Sequence, residues 1–230
     1  MTNTNALLYK WLLTNSFAVL ILYVAWLQDW IALVIESDAS YLSLAMGVIF
    51  LILWAFSSYH ILVANREIGR FADGHGEGVA ADYFDKLRQK SRNLNGHVVD
   101  QAILAGALRV RLMTPIQVIG YVANTLILLG LIGTVVGFVI AVGGLGDSIA
   151  QGEDVERVKG VLGQIVNGMG IALFTTLVGS ILGGIWLQLH YQLLLRAVAN
   201  LVVHIVERAD IEIIPALANG GDPAPNAPSR

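Results

Sequence analysis

Apolar residues gather along the chain in four long runs separated by polar stretches. The first extends from about Leu7 to Leu27, the second from Tyr41 to Ala64 and the third from Ile116 to Leu145. The fourth begins near Val161 and stays apolar past Leu195. A helix needs about 20 mostly apolar residues to cross the hydrocarbon core of a bilayer, and each run meets that length. The pattern predicts four transmembrane helices. A short acidic hairpin around Asp29, Glu36 and Asp38 joins the first two. The polar start Met1-Thr-Asn-Thr-Asn5, then Lys10, without a small-residue cleavage site, reads as the approach to a retained span, not as a removable leader.

The stretches between the runs carry helical periodicity of their own. After the turn-rich Asp73-Gly-His-Gly-Glu-Gly78, a pattern begins near Ala81 in which Tyr83, Leu87, Leu94, Val98 and Gln101/Ala102 recur at three-, four- or seven-residue steps. Such a stripe suits packing against one other helix, and the far end of the fourth run is the expected partner. Nothing in Val161–Ile214 stops a helix before Pro215, although its glycine pairs can bend one. At 1.5 Å per residue that stretch is about 80 Å long, roughly two crossings. Its last half, with Leu201, Val202, Ile205 and Val206, is expected to project into the cytoplasm. The expected division is therefore 1–64 for the first two spans, 65–115 for a cytoplasmic helical segment, 116–195 for the third and fourth spans, 196–215 for a cytoplasmic extension and 216–230 for a flexible, Pro- and Ala-rich tail.

Composition agrees with a bilayer solvent. The chain of 230 residues is 56% hydrophobic and 13% charged, against about a quarter charged in an average soluble domain; its mean hydropathy is +0.67. A net charge of −3 offers no basic footprint for nucleic acid. The absence of cysteine excludes thiol catalysis and cysteine-ligated metal.

Charge distribution sets an orientation. Of 14 Lys and Arg, eight fall in 65–115 (Arg66, Arg70, Lys86, Arg88, Lys90, Arg92, Arg109 and Arg111). Lys10, Arg196, Arg208 and Arg230 lie on the same side of a four-span chain, and only Arg157 and Lys159 on the other. The positive-inside rule then makes both termini and the 65–115 segment cytoplasmic, in a multi-pass membrane protein. The fold class is all-α.

Fifteen of the 24 glycines lie between Gly120 and Gly184. Gly130, Gly133, Gly137, Ala141 and Gly144 share one face of the third span, and Ala172, Gly179 and Gly183 one face of the fourth. Gly133/Gly137 and Gly179/Gly183 are GxxxG pairs. Small residues let helix backbones approach closely in lipid. That serves packing within one chain, and it equally serves a homo-oligomer whose helices line a shared pathway. Thr134 and Thr176 lie about equally far from the outer ends of their spans, so both hydroxyls fall near the midplane, with Thr175 and Ser180 beside them. A lone membrane threonine commonly bonds its own i−4 carbonyl; a pair at one depth points further, to a hydrated or ion-contacting ring.

No Asp, Glu, Lys or Arg occurs in 41–64, 112–146 or 160–195. Intramembrane proton relays use an ionisable group, so a conducting assembly must take its carboxylate from another chain. His60, His75, His97, His190 and His204 fall at span ends, in the loop or on the projecting helix, where packing or surface roles fit better than metal ligation. No HExxH, Walker loop or nucleophile–base pair is present, which argues against an enzyme. A non-conducting oligomeric scaffold is the alternative.

Leu131-Ile-Gly-Thr-Val-Val-Gly137, followed by Gly170-Ile-Ala-Leu-Phe-Thr-Thr-Leu-Val-Gly179, resembles the MotA/TolQ/ExbB proton-channel family over roughly residues 115–210. The resemblance implies a pentamer around a dimer of a second, single-span MotB/TolR/ExbD-like protein. That partner supplies the membrane Asp that takes up the ion. Thr134 and Thr176, with Thr175 beside them, match the family's pathway threonines, and Gly130, Gly133, Gly137, Gly179 and Gly183 fall on the packing faces. The implied activity is conversion of proton or sodium flow into mechanical work, with no cofactor beyond the transported ion. Ile171 stands where related three-span members carry Glu, and Ile127, Leu128 and Ile185 stand near positions where many members have proline. Four spans and Ala172-Leu-Phe-Thr-Thr176 look more like the MotA branch, whereas the 65–115 segment is short for a flagellar stator.

Overall fold

The computed structural model describes residues 6–38, 40–73, 78–93, 100–149 and 155–218; of Ser37, 144–149 and 155–157 it describes the backbone alone. No strand occurs among the described residues, and helices account for nearly all of them. In order they are α1 (Ala6–Leu27), α2 (Trp30–Ser37), α3 (Leu42–Ala72), α4 (Val79–Asn93), α5 (Ala102–Ile149), α6 (Val155–Gly179), α7 (Gln188–Arg208) and α8 (Ile214–Ala218). Two π-helical segments, Ser180–Leu187 and Ala209–Ile213, link α6 to α7 and α7 to α8. Four helical stretches are long and apolar enough to cross a membrane: Ala6–Leu27, Leu42–Ala72, Ala102–Gly143 and Val158–Ala218. The protein is a multi-pass membrane protein. His75, His97, Leu94, Val98, the surroundings of Gly144, the Arg157 side chain and the tail 219–230 lie outside what is described.

The elements differ from the sequence expectation at four places. The acidic hairpin contains a helix, α2, because Trp30-Ile-Ala-Leu-Val-Ile35 is an unbroken apolar run too short to register as a span. Helix α3 continues beyond Ala64 to Ala72. Helix α5 runs through Pro115 instead of starting after it; one proline removes a single N–H donor, a loss that membrane helices absorb through neighbouring groups. Pro215 likewise sits inside α8, in a helical run that continues from α7 through Ala209–Ile213 instead of stopping before the proline.

The residues fall into two units. One comprises Met1–Leu13, Ser57–Val118 and Tyr191–Arg230. Here α7 buries Leu194, Val198, Leu201, Val202 and Ile205, continued by Ala209 and Ile213, a stripe at three- and four-residue steps. Helix α4 buries Tyr83 and Leu87 and packs against α8, the far end of the fourth run, as its periodicity predicted. The Tyr83 hydroxyl donates to Gln101 Oε1 at 2.9 Å, and Gln101 Nε2 donates to Asp210 Oδ1 at 3.1 Å. Burial, then the neighbouring Asp210 carboxylate, pushes the Tyr83 phenol above its ordinary pKa. On the polar side, Asp82 pairs with Lys86 at 2.9 Å and Arg111 at 2.8 Å.

The other unit comprises Thr14–Phe56 and Ile119–His190. Its core joins Met46 and Phe50 of α3, Ala123 and Leu126 of α5, and Trp186 and Leu187 of the π segment. The Phe50 and Trp186 rings meet edge to face with centroids 5.2 Å apart, a favourable quadrupolar arrangement. Buried Asp38 organises the start of α3 by accepting hydrogen bonds from the backbone N–H of Ser40 at 3.1 Å and of Ser43 at 2.6 Å.

Candidate functional site

Helices α5 and α6 meet backbone to backbone along the predicted small-residue faces. A Cβ added at Gly137 would lie 2.9 Å from the Ala172 Cα, and one at Gly168 equally close to the Ala141 Cα. At Gly179 it would meet the Leu126 carbonyl oxygen at 2.7 Å, and at Gly183 the Leu126 Cβ at 2.8 Å. Gly130 faces Thr176 and Gly179, and Gly133 faces the Thr175 side chain. All five predicted packing glycines thus fit α5 against the α6 run within one chain. Over the described residues, the two stripes occupy each other.

This close approach brings Thr134 of α5 and Thr176 of α6 together, their hydroxyls hydrogen-bonded to each other. The Thr134 hydroxyl also lies 3.3 Å from the carbonyl oxygens of Gly130 and Ala172, and the Thr176 hydroxyl 3.1 Å from the Gly130 oxygen. Two hydroxyl protons are shared among these acceptors and each other, so oxygen lone pairs remain available. Thr134 is half-buried and Thr176 exposed. Around them α5 and α6 present Leu131, Val135, Phe138, Leu173 and Leu177, all exposed.

The other threonines of these two helices behave differently. Thr114 and Thr125 donate to the i−4 carbonyls of Val110 and Tyr121, and fully buried Thr175 donates to that of Ile171 at 2.7 Å. Thr134 and Thr176 therefore stand apart by bonding across the helix pair. Thr175 shares their level but points into the α5–α6 contact. The π segment that begins four residues after Thr176 was not foreseen; π-helical turns are rare and concentrate at functional sites, and the run Ser180-Ile-Leu-Gly-Gly184 gave only the general sign of a bendable helix.

A second polar group escaped the sequence reading. The Trp54 indole N–H donates to Asn15 Oδ1 at 2.8 Å, Asn15 Nδ2 faces His190 Nε2 at 3.1 Å, and His190 Nδ1 faces the Trp186 carbonyl oxygen at 3.0 Å. Its signal was Asn15, a lone amide amid the apolar first run. Among the described residues no cluster of three or more His, Cys, Asp or Glu could hold a metal ion.

A family model described as the MotA/TolQ/ExbB proton channel family matches residues 83–207. The chain belongs to that family. The matched region takes in most of α4, all of α5 and α6 and nearly all of α7, and so contains both members of the Thr134–Thr176 pair. No curated protein and no solved structure matches the chain. The description of the MotA/TolQ/ExbB family is that of a proton channel.

Proposed function

We propose that this protein is the channel-forming subunit of an ion-motive-force-driven membrane motor, a homopentamer that surrounds a dimer of a single-span MotB/TolR/ExbD-like partner. Proton or sodium flow past the Thr134–Thr176 pair would drive one ring of subunits relative to the other. The partner supplies the ion-accepting Asp, since 112–146 and 160–195 hold no Asp, Glu, Lys or Arg. Both termini and the 65–115 segment face the cytoplasm of a bacterial inner membrane, in keeping with the distribution of Lys and Arg.

The observation that carries the reading is the hydroxyl pair itself. It sits on an exposed face otherwise made of apolar side chains, and its members bond across the helix pair, whereas Thr114, Thr125 and Thr175 bond within their own helices. Hydroxyl and carbonyl oxygens without a fixed charge can pass an ion or its water to a carboxylate on another chain without trapping it. Thr175, enclosed in the α5–α6 contact, would act by holding the two helices at the spacing that pairs the others.

Ion flux into proteoliposomes, measured with this chain alone and with its single-span partner co-reconstituted, tests the proposal. The expected result is little flux alone and strong flux together. Equal, negligible flux in both preparations would favour a non-conducting oligomeric scaffold. Strong flux from this chain alone would overturn the two-component scheme.

A further inference from the structure

Helix α2 carries an apolar surface that the packing of its own chain leaves uncovered. Trp30, Leu33 and Ile35 are 60%, 50% and 64% exposed, and Ile31 is exposed as well. Only Val34 is half-buried, and α2 rests against α6. Glu36, two residues from Val34 and so about 200° around the helix, points the charged side the other way. Apolar flanks beside a packed ridge, with the acid opposite, are not the surface of a solvated loop.

Chain geometry limits what can cover those flanks. Helix α1 has 22 residues, about 33 Å of rise, close to the thickness of a hydrocarbon core. Its last residue, Leu27, therefore lies at one membrane face, and α3 starts back from the same face at Leu42. Helix α2 is tied between these points by two short turns, one reversing at Asp29 with φ +56° and the other at Tyr41 with φ +56°. Eight residues of helix, about 12 Å, cannot leave that face. Tyr23, Trp26, Trp30 and Tyr41 are all exposed around it, the aromatic types that settle at the headgroup level. The apolar surface of α2 is continuous along the chain with that of a membrane-crossing helix.

We propose that α2 is an interfacial helix, seated in the leaflet where α1 ends, with Trp30, Leu33 and Ile35 among the upper acyl chains and Glu36 at the water side. Lipid is its partner. The helix then acts as a collar that fixes the depth of α1 and α3, and of α6 against which it leans. This goes beyond the channel reading and does not depend on it.

The chain has no cysteine, so single nitroxide labels can be placed on Leu33→Cys, Ile35→Cys and Glu36→Cys in the full chain in phosphatidylcholine nanodiscs. Collisions with oxygen should exceed those with nickel-EDDA several-fold at positions 33 and 35, with the order reversed at 36. Nickel-EDDA dominance at 33 and 35 would place α2 in water, and exclusion of both reagents would place a protein, such as a second copy, over it; either overturns the proposal. Should a labelled variant misfold, Trp30→Phe in the unlabelled chain decides. The quenched share of tryptophan emission in lipids brominated near the headgroup should fall, and an unchanged or larger share overturns the proposal.

Discussion

Asn15 and His190, 175 positions apart in the chain, face each other through Nδ2 and Nε2 at 3.1 Å. Their protons can be assigned from the neighbours. An indole N–H only donates, so Trp54 fixes Asn15 Oδ1 as its acceptor, which turns the Asn15 amide N–H towards His190. His190 Nε2 must then accept. Its proton sits on Nδ1 and is donated to the Trp186 carbonyl oxygen at 3.0 Å.

Asn15→Leu, close in volume, removes both halves of the amide at once and leaves the Trp54 N–H and His190 Nε2 without it. Unmade hydrogen bonds in protein interiors cost about 1–3 kcal/mol, and those between membrane helices average nearer 0.6 kcal/mol. The expected loss is about 1–3 kcal/mol, read as earlier thermal aggregation in detergent. Nitrogen NMR of His190 should show the Nδ1-protonated ring in the native chain and a mixture of tautomers in the variant.

Thr134→Val and Thr176→Val keep shape while deleting one hydroxyl each. If either hydroxyl contacts the ion, its water or a partner carboxylate, losing that contact costs about 1–3 kcal/mol at that step, a roughly five- to hundredfold loss of flux. Thr125→Val is the control, because Thr125 bonds only within its own helix at Tyr121. Flux and oligomer yield measured together separate a pathway effect from an assembly effect; variants 134 and 176 conducting like 125 would remove the pair from the pathway.

Gly137→Ala places a methyl group 2.9 Å from the Ala172 Cα, where only a backbone shift can relieve it. Overpacking of this kind costs about 1–3 kcal/mol. Gly163→Ala meets nothing within 4 Å and gains about 1 kcal/mol of helix propensity, so the two variants should move the melting temperature in opposite directions. Equal shifts would mean that α5 and α6 are not held at the close approach described.

Asp38 gives a pH prediction. Burial works to raise its pKa, but the hydrogen bonds from Ser40 and Ser43 outweigh that and hold it below the ordinary 3.8. Its folded value is therefore the lower one, and its stabilisation is present above about pH 3.8 and lost as pH falls through the folded value. Protection of the Ser40 and Ser43 amides, measured relative to the intrinsic exchange rate at each pH, should fall in that acid window, and Asp38→Ala should show the low protection at neutral pH.

What the sequence disclosed follows from the range of each interaction. Spans, the α4 stripe and the glycine faces are local periodicities, and the hydroxyl pair needed only a count of residues from two span ends. The Asn15–Trp54–His190 relay needed three helices in register, which no local pattern encodes. Pro115 misled because its local effect is a broken hydrogen bond, while the flanking turns of α5 supply enough bonds to carry the helix through. The apolar run of α2 was hidden by the three acids around it. For Thr175, depth was legible but direction was not: adjacent residues on a helix differ by about 100°, and that angle separates an enclosed hydroxyl from an exposed one.

The π segment Ser180–Leu187 has a consequence for phase. Thr176 and His190 are 14 residues apart, almost four α-helical turns of 3.6 residues, so an unbroken helix would hold them on nearly the same side. Yet Thr176 is exposed and His190 completely enclosed. Bonding to the fifth residue advances each position by less than the α-helical angle, and the lag accumulates over the eight residues that separate α6 from α7, upstream of His190. The segment shifts the phase between two residues: Thr176 upstream of it is exposed, and His190 downstream of it is enclosed. Deleting one residue there would leave both sequences intact and dial them out of alignment.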